Sequence, residues 1–114
     1  MSSTTKVVGV TFDGRQSVIA EINEMLDHLI AIREPENPHD ENAIAIYVKK
    51  INGEKKSVGY INRGLAAQLA PEIDAGKELI IHDFFLTGAR AQGVSLGIIF
   101  SYTLESVSKE VEKS

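Results

Sequence analysis

Apolar and polar residues alternate along most of this chain, and only two stretches change to helical spacing. Lys6 to Phe12 (Lys-Val-Val-Gly-Val-Thr-Phe) is short and β-rich, and Asp13-Gly14 closes it as a turn, which predicts a first strand. From Gln16 onward, Val18, Ile19, Ile22, Met25 and Leu26 recur at helical spacing with Glu21 and Glu24 opposite. This predicts a short amphipathic helix with Ser17 as its candidate N-cap. His28 to Arg33 alternates around Leu29, Ile30 and Ile32, a second strand. It ends where Pro35 and Pro38 forbid ordinary ladder pairing and push Glu34 and Asn37 into extended backbone.

Ala43 to Lys50 and Lys56 to Ile61 flank Asn52-Gly53, the strongest short hairpin signal there is, so strands three and four are expected to form a hairpin. Asn62 is a good N-cap for a helix whose Leu65, Ala66, Leu69, Ala70 and Ile73 make one apolar stripe. That helix is expected to kink or restart at Pro71 and to stop at Gly76. Glu78 to Thr87 and Val94 to Leu104 are two further β-rich runs, joined across residues 88–93 into a second hairpin. About six strands and two short helices then occupy residues 6–105, between a flexible N-terminus (1–5) and a charged, frayed tail (106–114). Short antiparallel strands, too few for two full sheets, predict a mainly β fold: a small curled barrel of OB-like or SH3-like type.

Composition narrows the function classes. With 114 residues, 43% apolar and 25% charged, the chain is expected to be one globular domain. It has no cysteine, which excludes disulfides, thiolate zinc sites and cysteine nucleophiles and fits a reducing compartment, so a cytoplasmic location is the default expectation. The N-terminal residues lack a basic start followed by an apolar run, and no stretch approaches the roughly 20 apolar residues that span a bilayer, so neither secretion nor membrane insertion is expected. A net charge of −4 repels phosphate backbones, so any nucleic acid must be bound locally. Lys49, Lys50, Lys55 and Lys56 bunch around one turn with Arg63 close behind, but taken alone they read as a solvated hairpin.

Catalytic signatures are thin. His28, His39 and His82 show no His-x-x-x-His spacing, and neither a nucleophile-elbow serine motif nor a phosphate-binding Gly-x-x-x-x-Gly-Lys motif is present. No enzyme and no cofactor is therefore expected. A metal-dependent phosphoesterase built on His39 and Asp40 ranks last, because two adjacent ligands do not make a site. The segment Arg33 to Asn42 is different: two prolines stiffen a loop rich in Asn, His and Asp side chains, and rigid polar loops tend to be sites. The same residues also suit Asx-turns that merely hold the loop together, and the local pattern leaves both readings open.

Val8-Gly9-Val10-Thr11-Phe12, then Arg33-Glu34-Pro35-Glu36-Asn37-Pro38-His39-Asp40-Glu41-Asn42-Ala43-Ile44, then Val58-Gly59-Tyr60-Ile61 followed by Leu65-Ala66, together resemble the HIRAN domain. Order and spacing agree from about Lys6 to Leu104. HIRAN domains occur fused to Swi/Snf-related DNA translocases that remodel stalled replication forks and also as freestanding bacterial proteins, and this chain is similar to the freestanding kind. The resemblance implies an OB-like barrel whose pocket captures the 3′-hydroxyl end of single-stranded DNA. It assigns Asp40 to the terminal hydroxyl, Phe12, Tyr60 and His39 to base stacking, Asn37 to base edges or sugar, and Arg63 to a phosphate. It also implies a role in DNA repair or replication-fork processing beside a separately encoded helicase or nuclease.

Two departures bear on affinity. DNA-binding relatives often carry a basic residue and then aromatics at the end of strand one, where this chain has Thr11, Phe12 and Asp13, and they commonly have tyrosine where it has His39, a smaller, protonatable ring. A lost phosphate contact and an added negative charge weaken the expected affinity. They leave a protein–protein interaction module on the same barrel as the alternative.

Overall fold

The computed structural model describes residues 2–88 and 93–106. Its elements are β1 (Ser3–Val8), α1 (Arg15–Ala20), β2 (His28–Arg33), β3 (Ile44–Lys49), β4 (Lys55–Ile61), α2 (Arg63–Asp74), β5 (Lys77–Thr87) and β6 (Gly97–Ser106). The strands pair antiparallel in one six-stranded sheet of order β2-β3-β4-β1-β6-β5. Its two ends, β2 and β5, come side by side without a ladder, so the sheet curls into a nearly closed barrel. This is the mainly β, six-stranded OB-like architecture that the pattern of short alternating strands implies.

The barrel is filled by the inward positions of the strands. Ile44, Ile46 and Val48 of β3 recur at every second residue, as do Ile98 and Phe100 of β6, and all are fully buried together with Val58. Ile19 of α1 joins them at 0% exposure, which ties the helix to the barrel. Burying side chains of this size contributes roughly 1.5–3 kcal/mol each.

Local signals placed several elements. The Asn52-Gly53 hairpin forms, with Gly53 at φ +92 and its N–H donating to the Lys50 carbonyl at 2.8 Å. Asn62 caps α2, its Oδ1 accepting the Leu65 N–H at 2.9 Å. α2 runs through Pro71 as one assigned helix rather than restarting there. Within the connection expected between β5 and β6, residues 89–92 lie outside the described residues, as does the expected tail from residue 107.

β6 starts at Gly97 rather than at Val94, and two elements differ more from the expectation. The first strand runs over Ser3–Val8, not Lys6–Phe12. Ser3, Thr4 and Thr5, expected in a flexible leader, pair with Tyr102, Ser101 and Phe100, while Val7 and Val8 pair with Ile61 and Tyr60. β1 thus joins the two halves of the sheet, and Gly9, at φ +75, ends it by turning the chain out. The ladder to β6 is non-local, which is why no short-range signal reveals it.

The first helix is also shorter than its apolar spacing suggests. It ends at Ala20 and begins after Gly14, which occupies the N-cap position without a side chain to cap the helix, so Ser17 is not the N-cap. Asn23 and Asp27 explain the stop. The Asn23 Oδ1 accepts the N–H groups of Met25 and Leu26, and the Asp27 Oδ2 accepts the Asn23 N–H at 2.8 Å, an arrangement that competes with helix. Met25 and Leu26 are consequently exposed, at 91% and 48%.

Asp27 is also the buried charged residue of this cap, 3% exposed, and its Oδ2 meets the Lys50 Nζ at 2.7 Å. Burial pushes its carboxyl up, but the hydrogen bond from Lys50, the Asn23 N–H and the Lys50 charge outweigh that and hold it below the ordinary carboxylate value. A depressed folded-state pKa means that the stabilisation is present above the unfolded carboxyl pKa and is lost as pH falls through the folded one. Asp27→Asn is expected to lower stability at neutral pH by about 2 kcal/mol, less than the ~3–5 kcal/mol of a fully buried pair because water reaches Lys50. Thermal melts of both proteins from pH 7 to pH 2.5 check this; the gap should narrow toward the acid end.

Candidate nucleic-acid interface

Three pieces of chain converge at one end of the barrel. They are the turn after β1 with the start of α1, the 34–43 loop between β2 and β3, and the junction of β4 with α2. Between them lies a cleft of about 710 Å³, and Phe12, Asn37, His39, Asp40, Tyr60 and Arg63 all line it. All six candidates from the sequence are therefore brought together, from positions as far apart as Phe12 and Arg63.

The 34–43 loop is stiff for reasons its sequence states. The Glu34 N–H donates to the Ala43 carbonyl at 2.9 Å and closes the base, and the Asn37 N–H donates to the Glu34 carbonyl at 3.1 Å. Asn37 Oδ1 accepts from the N–H groups of His39 (2.8 Å) and Asp40 (3.2 Å), and Asp40 Oδ1 accepts from the Asn42 N–H at 2.9 Å. Two Asx-turns in series result, with Pro35 ahead of the first and Pro38 inside it restricting the backbone. The structural reading of this loop and the functional one are therefore compatible. The turns engage one Asp40 oxygen and leave Oδ2 facing Arg63, 3.9 Å from its Nε.

Asn37 stands apart from the other five. Its oxygen serves two backbone N–H groups, and one of its two amide N–H donors goes to Glu34 Oε1 at 3.0 Å, so most of its hydrogen-bonding capacity builds the loop.

Tyr60 forms the opposite wall. Its hydroxyl donates to the same Glu34 Oε1 at 2.9 Å. Burial, and then the Glu34 carboxylate, push the Tyr60 phenol above its ordinary value, so it remains a donor at neutral pH. Phe12 lines the same cleft with 65% of its surface exposed.

Arg15, which the sequence reading missed, packs its guanidinium over the Tyr60 ring, 5.4 Å from the centroid, and donates through Nη1 to the Gly9 carbonyl at 2.8 Å. It lines the cleft with Asp13, whose carboxylate lies 3.6 Å from Nη2 but is itself 82% exposed, so the pair is weak. The cleft thus has a cation beside its aromatic wall despite the missing basic residue near Thr11. Left-handed backbone at Asp13 (φ 56) and Gly14 (φ 75) swings Arg15 back toward the end of β1, and Asp13-Gly14 was the one local hint of that reversal. On the far side, Arg63 Nη2 donates to the His39 carbonyl at 3.1 Å, while its side chain stays 77% exposed and open to a ligand.

Among the described residues, no group of three His, Asp or Glu side chains is placed to hold a metal ion. No helix among them is long and apolar enough to cross a membrane.

The family model described as HIRAN domain matches residues 2–104 of the chain. No curated protein matches it. Among solved structures, a protein from Lactobacillus plantarum is similar, with 22% identity and a TM-score of 0.59, over 92% of this chain and 99% of that one. The HIRAN domain of human HLTF is similar at 23% identity and a TM-score of 0.51, over 98% of this chain and 80% of that one. At such identities the two structures speak for the fold.

Proposed function

Since the chain belongs to the HIRAN domain family of DNA-binding modules, we propose that its cleft takes the 3′-hydroxyl end of a single DNA strand. The observation that carries this reading is the state of Asp40. One of its oxygens is held by the Asn42 N–H, and the other faces the cleft beside Arg63. A carboxylate only accepts hydrogen bonds, so this oxygen takes one from a terminal hydroxyl and repels a phosphate in the same place. The last bases stack on Tyr60 and Phe12, with the His39 ring at the edge, and Arg15 and Arg63 face the phosphates that precede the end. Asn37 keeps Asp40 in place. The module carries no chemistry in this reading, and a separately encoded helicase or nuclease acts on the end it holds, in repair or fork processing.

The test is a titration of short labelled oligonucleotides at low salt. Strands ending in a free 3′-hydroxyl are expected to bind about tenfold or more tightly than the same strands ending in 3′-phosphate, a difference of about 1.4 kcal/mol. Equal affinity for both, or none for either, would contradict the reading.

A further inference from the structure

Outside the cleft, the register of β2, β3 and β4 aligns residues whose chemistry the end pocket does not use. Tyr60 pairs with Ala45, Tyr47 with Ser57, and Lys49 with both Lys55 and His28. Residues directly opposite one another share a face of the sheet, and Ala45, Tyr47 and Lys49 lie on the face opposite to Ile44, Ile46 and Val48, with Ala45 covered, Tyr47 half-buried and Lys49 exposed. One outer face therefore presents Tyr60 at the cleft, Tyr47 in the middle and a row of Lys49, Lys55 and His28 at the far end. Lys49, Lys55 and His28 are exposed.

The neighbouring lysines each have an acidic neighbour. Lys50 pairs with Asp27 at 2.7 Å and Lys56 lies 3.9 Å from Glu54, whereas Lys49 and Lys55 make no ion pair among the described residues. Like charges directly opposite in a ladder oppose folding. The row is thus a local cost to the domain, and a bound anion would relieve it. Because Val58 bulges, the ladder from Tyr60 to Lys55 advances by the four residues from Ala45 to Lys49, roughly 14 Å at about 3.4 Å per residue. That distance matches about four bases at the ~3.4 Å rise of a stacked strand.

We infer that this face carries the body of the single strand whose 3′ end sits in the cleft, with Tyr47 as a further stacking surface and Lys49 and Lys55 contacting phosphates about four nucleotides back. The inference rests on the end-binding reading above and extends it from a pocket to a path. Aromatic rings and cations spaced along one face are what sequence-tolerant single-strand binding needs.

The experiment compares a trimer with a decamer, each with a free 3′-hydroxyl or a 3′-phosphate, on the wild-type chain and on Lys49→Gln/Lys55→Gln. The wild type is expected to bind the decamer at least about tenfold more tightly than the trimer. The double variant is expected to lose most of that gain and to lower the slope of log affinity against log salt by about 1.4 for the decamer, the share of two phosphate contacts on a single strand. Its trimer affinity should not change, and its melting temperature should hold or rise, since a like-charge pair is removed. A decamer that binds no better than the trimer, or a gain that survives the double substitution, would overturn the path. The trimer reports on the pocket separately. Indifference of the trimer to a 3′-phosphate would contradict end binding, while a lysine-dependent length gain would still support the path.

Discussion

Gly59→Ala is expected to lower the unfolding free energy by about 3–5 kcal/mol, the sum of left-handed strain and overpacking at one position. Gly59 sits in β4 at φ +148, and a Cβ there would lie 2.3 Å from the Val8 carbonyl oxygen and 2.5 Å from Val7 Cγ1. Two observations make the clash hard to relieve. The obstacle is partly backbone, and it is the backbone of β1 where that strand crosses to pair with Tyr60 and Ile61. β4 also carries an extra residue here. Ile46 pairs with Gly59 and Tyr47 with Ser57, so Val58 bulges inward, and the sheet has already taken up its slack. Gly53→Ala is the control, since that glycine is at φ +92 with nothing within 4 Å, and strain alone predicts a loss of about 1 kcal/mol. Urea or thermal denaturation of the three proteins checks both numbers, and similar losses at the two sites would refute the steric account.

Tyr60→Ala is expected to weaken single-strand binding by about tenfold to a hundredfold. Stacking on one aromatic ring is worth roughly 1–3 kcal/mol per base. Removing this ring also takes the surface from under Arg15 and leaves the Glu34 carboxylate without its hydroxyl donor, beside the path of a phosphate. Tyr60→Phe separates the contributions. It retains the ring and loses only the bond to Glu34, so a loss of less than about fivefold is expected if stacking dominates. Affinities measured by fluorescence anisotropy, with circular dichroism to verify folding, distinguish the cases. A phenylalanine variant as weak as the alanine one would move the weight from the ring to the hydroxyl.

These two residues also show what is legible in a sequence such as this one. Val58-Gly59-Tyr60-Ile61 stands out as part of a recurring pattern, yet the reason for its glycine is a contact with β1, about fifty residues away in the chain. Elements governed by neighbours were readable: the turn at Asn52-Gly53, the cap at Asn62 and the stiffness of the loop between Pro35 and Pro38. Elements governed by distant partners were not. The start of β1 depends on β6, so Ser3 to Thr5 look like a polar leader until their ladder to Tyr102, Ser101 and Phe100 is seen. Met25 and Leu26 satisfy helical spacing, and the spacing misleads because Asn23 and Asp27 bind the local backbone instead.

The cleft divides along the same line. Asp40, His39 and Asn37 come from one contiguous segment and are legible together, whereas the bond from one Asn37 amide N–H to Glu34 depends on the fold. Arg15 belongs to the cleft only because left-handed backbone at Asp13 and Gly14 reverses the chain, and its partner Tyr60 arrives from β4. This basic residue of the cleft therefore stands four positions after Thr11 in the chain.

If one Asp40 oxygen selects the strand end, a cycle of two proteins and two ligands exposes it: wild type and Asp40→Asn, each titrated with a 3′-hydroxyl and a 3′-phosphate oligonucleotide. Asparagine keeps an oxygen for the Asn42 N–H and replaces the second carboxylate oxygen by an amide that donates to phosphate. The wild type is expected to prefer the hydroxyl end by about tenfold or more, and the variant to reduce that preference to less than about threefold, a coupling of roughly 0.7 kcal/mol or more. A preference that persists undiminished in Asp40→Asn, or one that is absent from the wild type, would contradict the assignment.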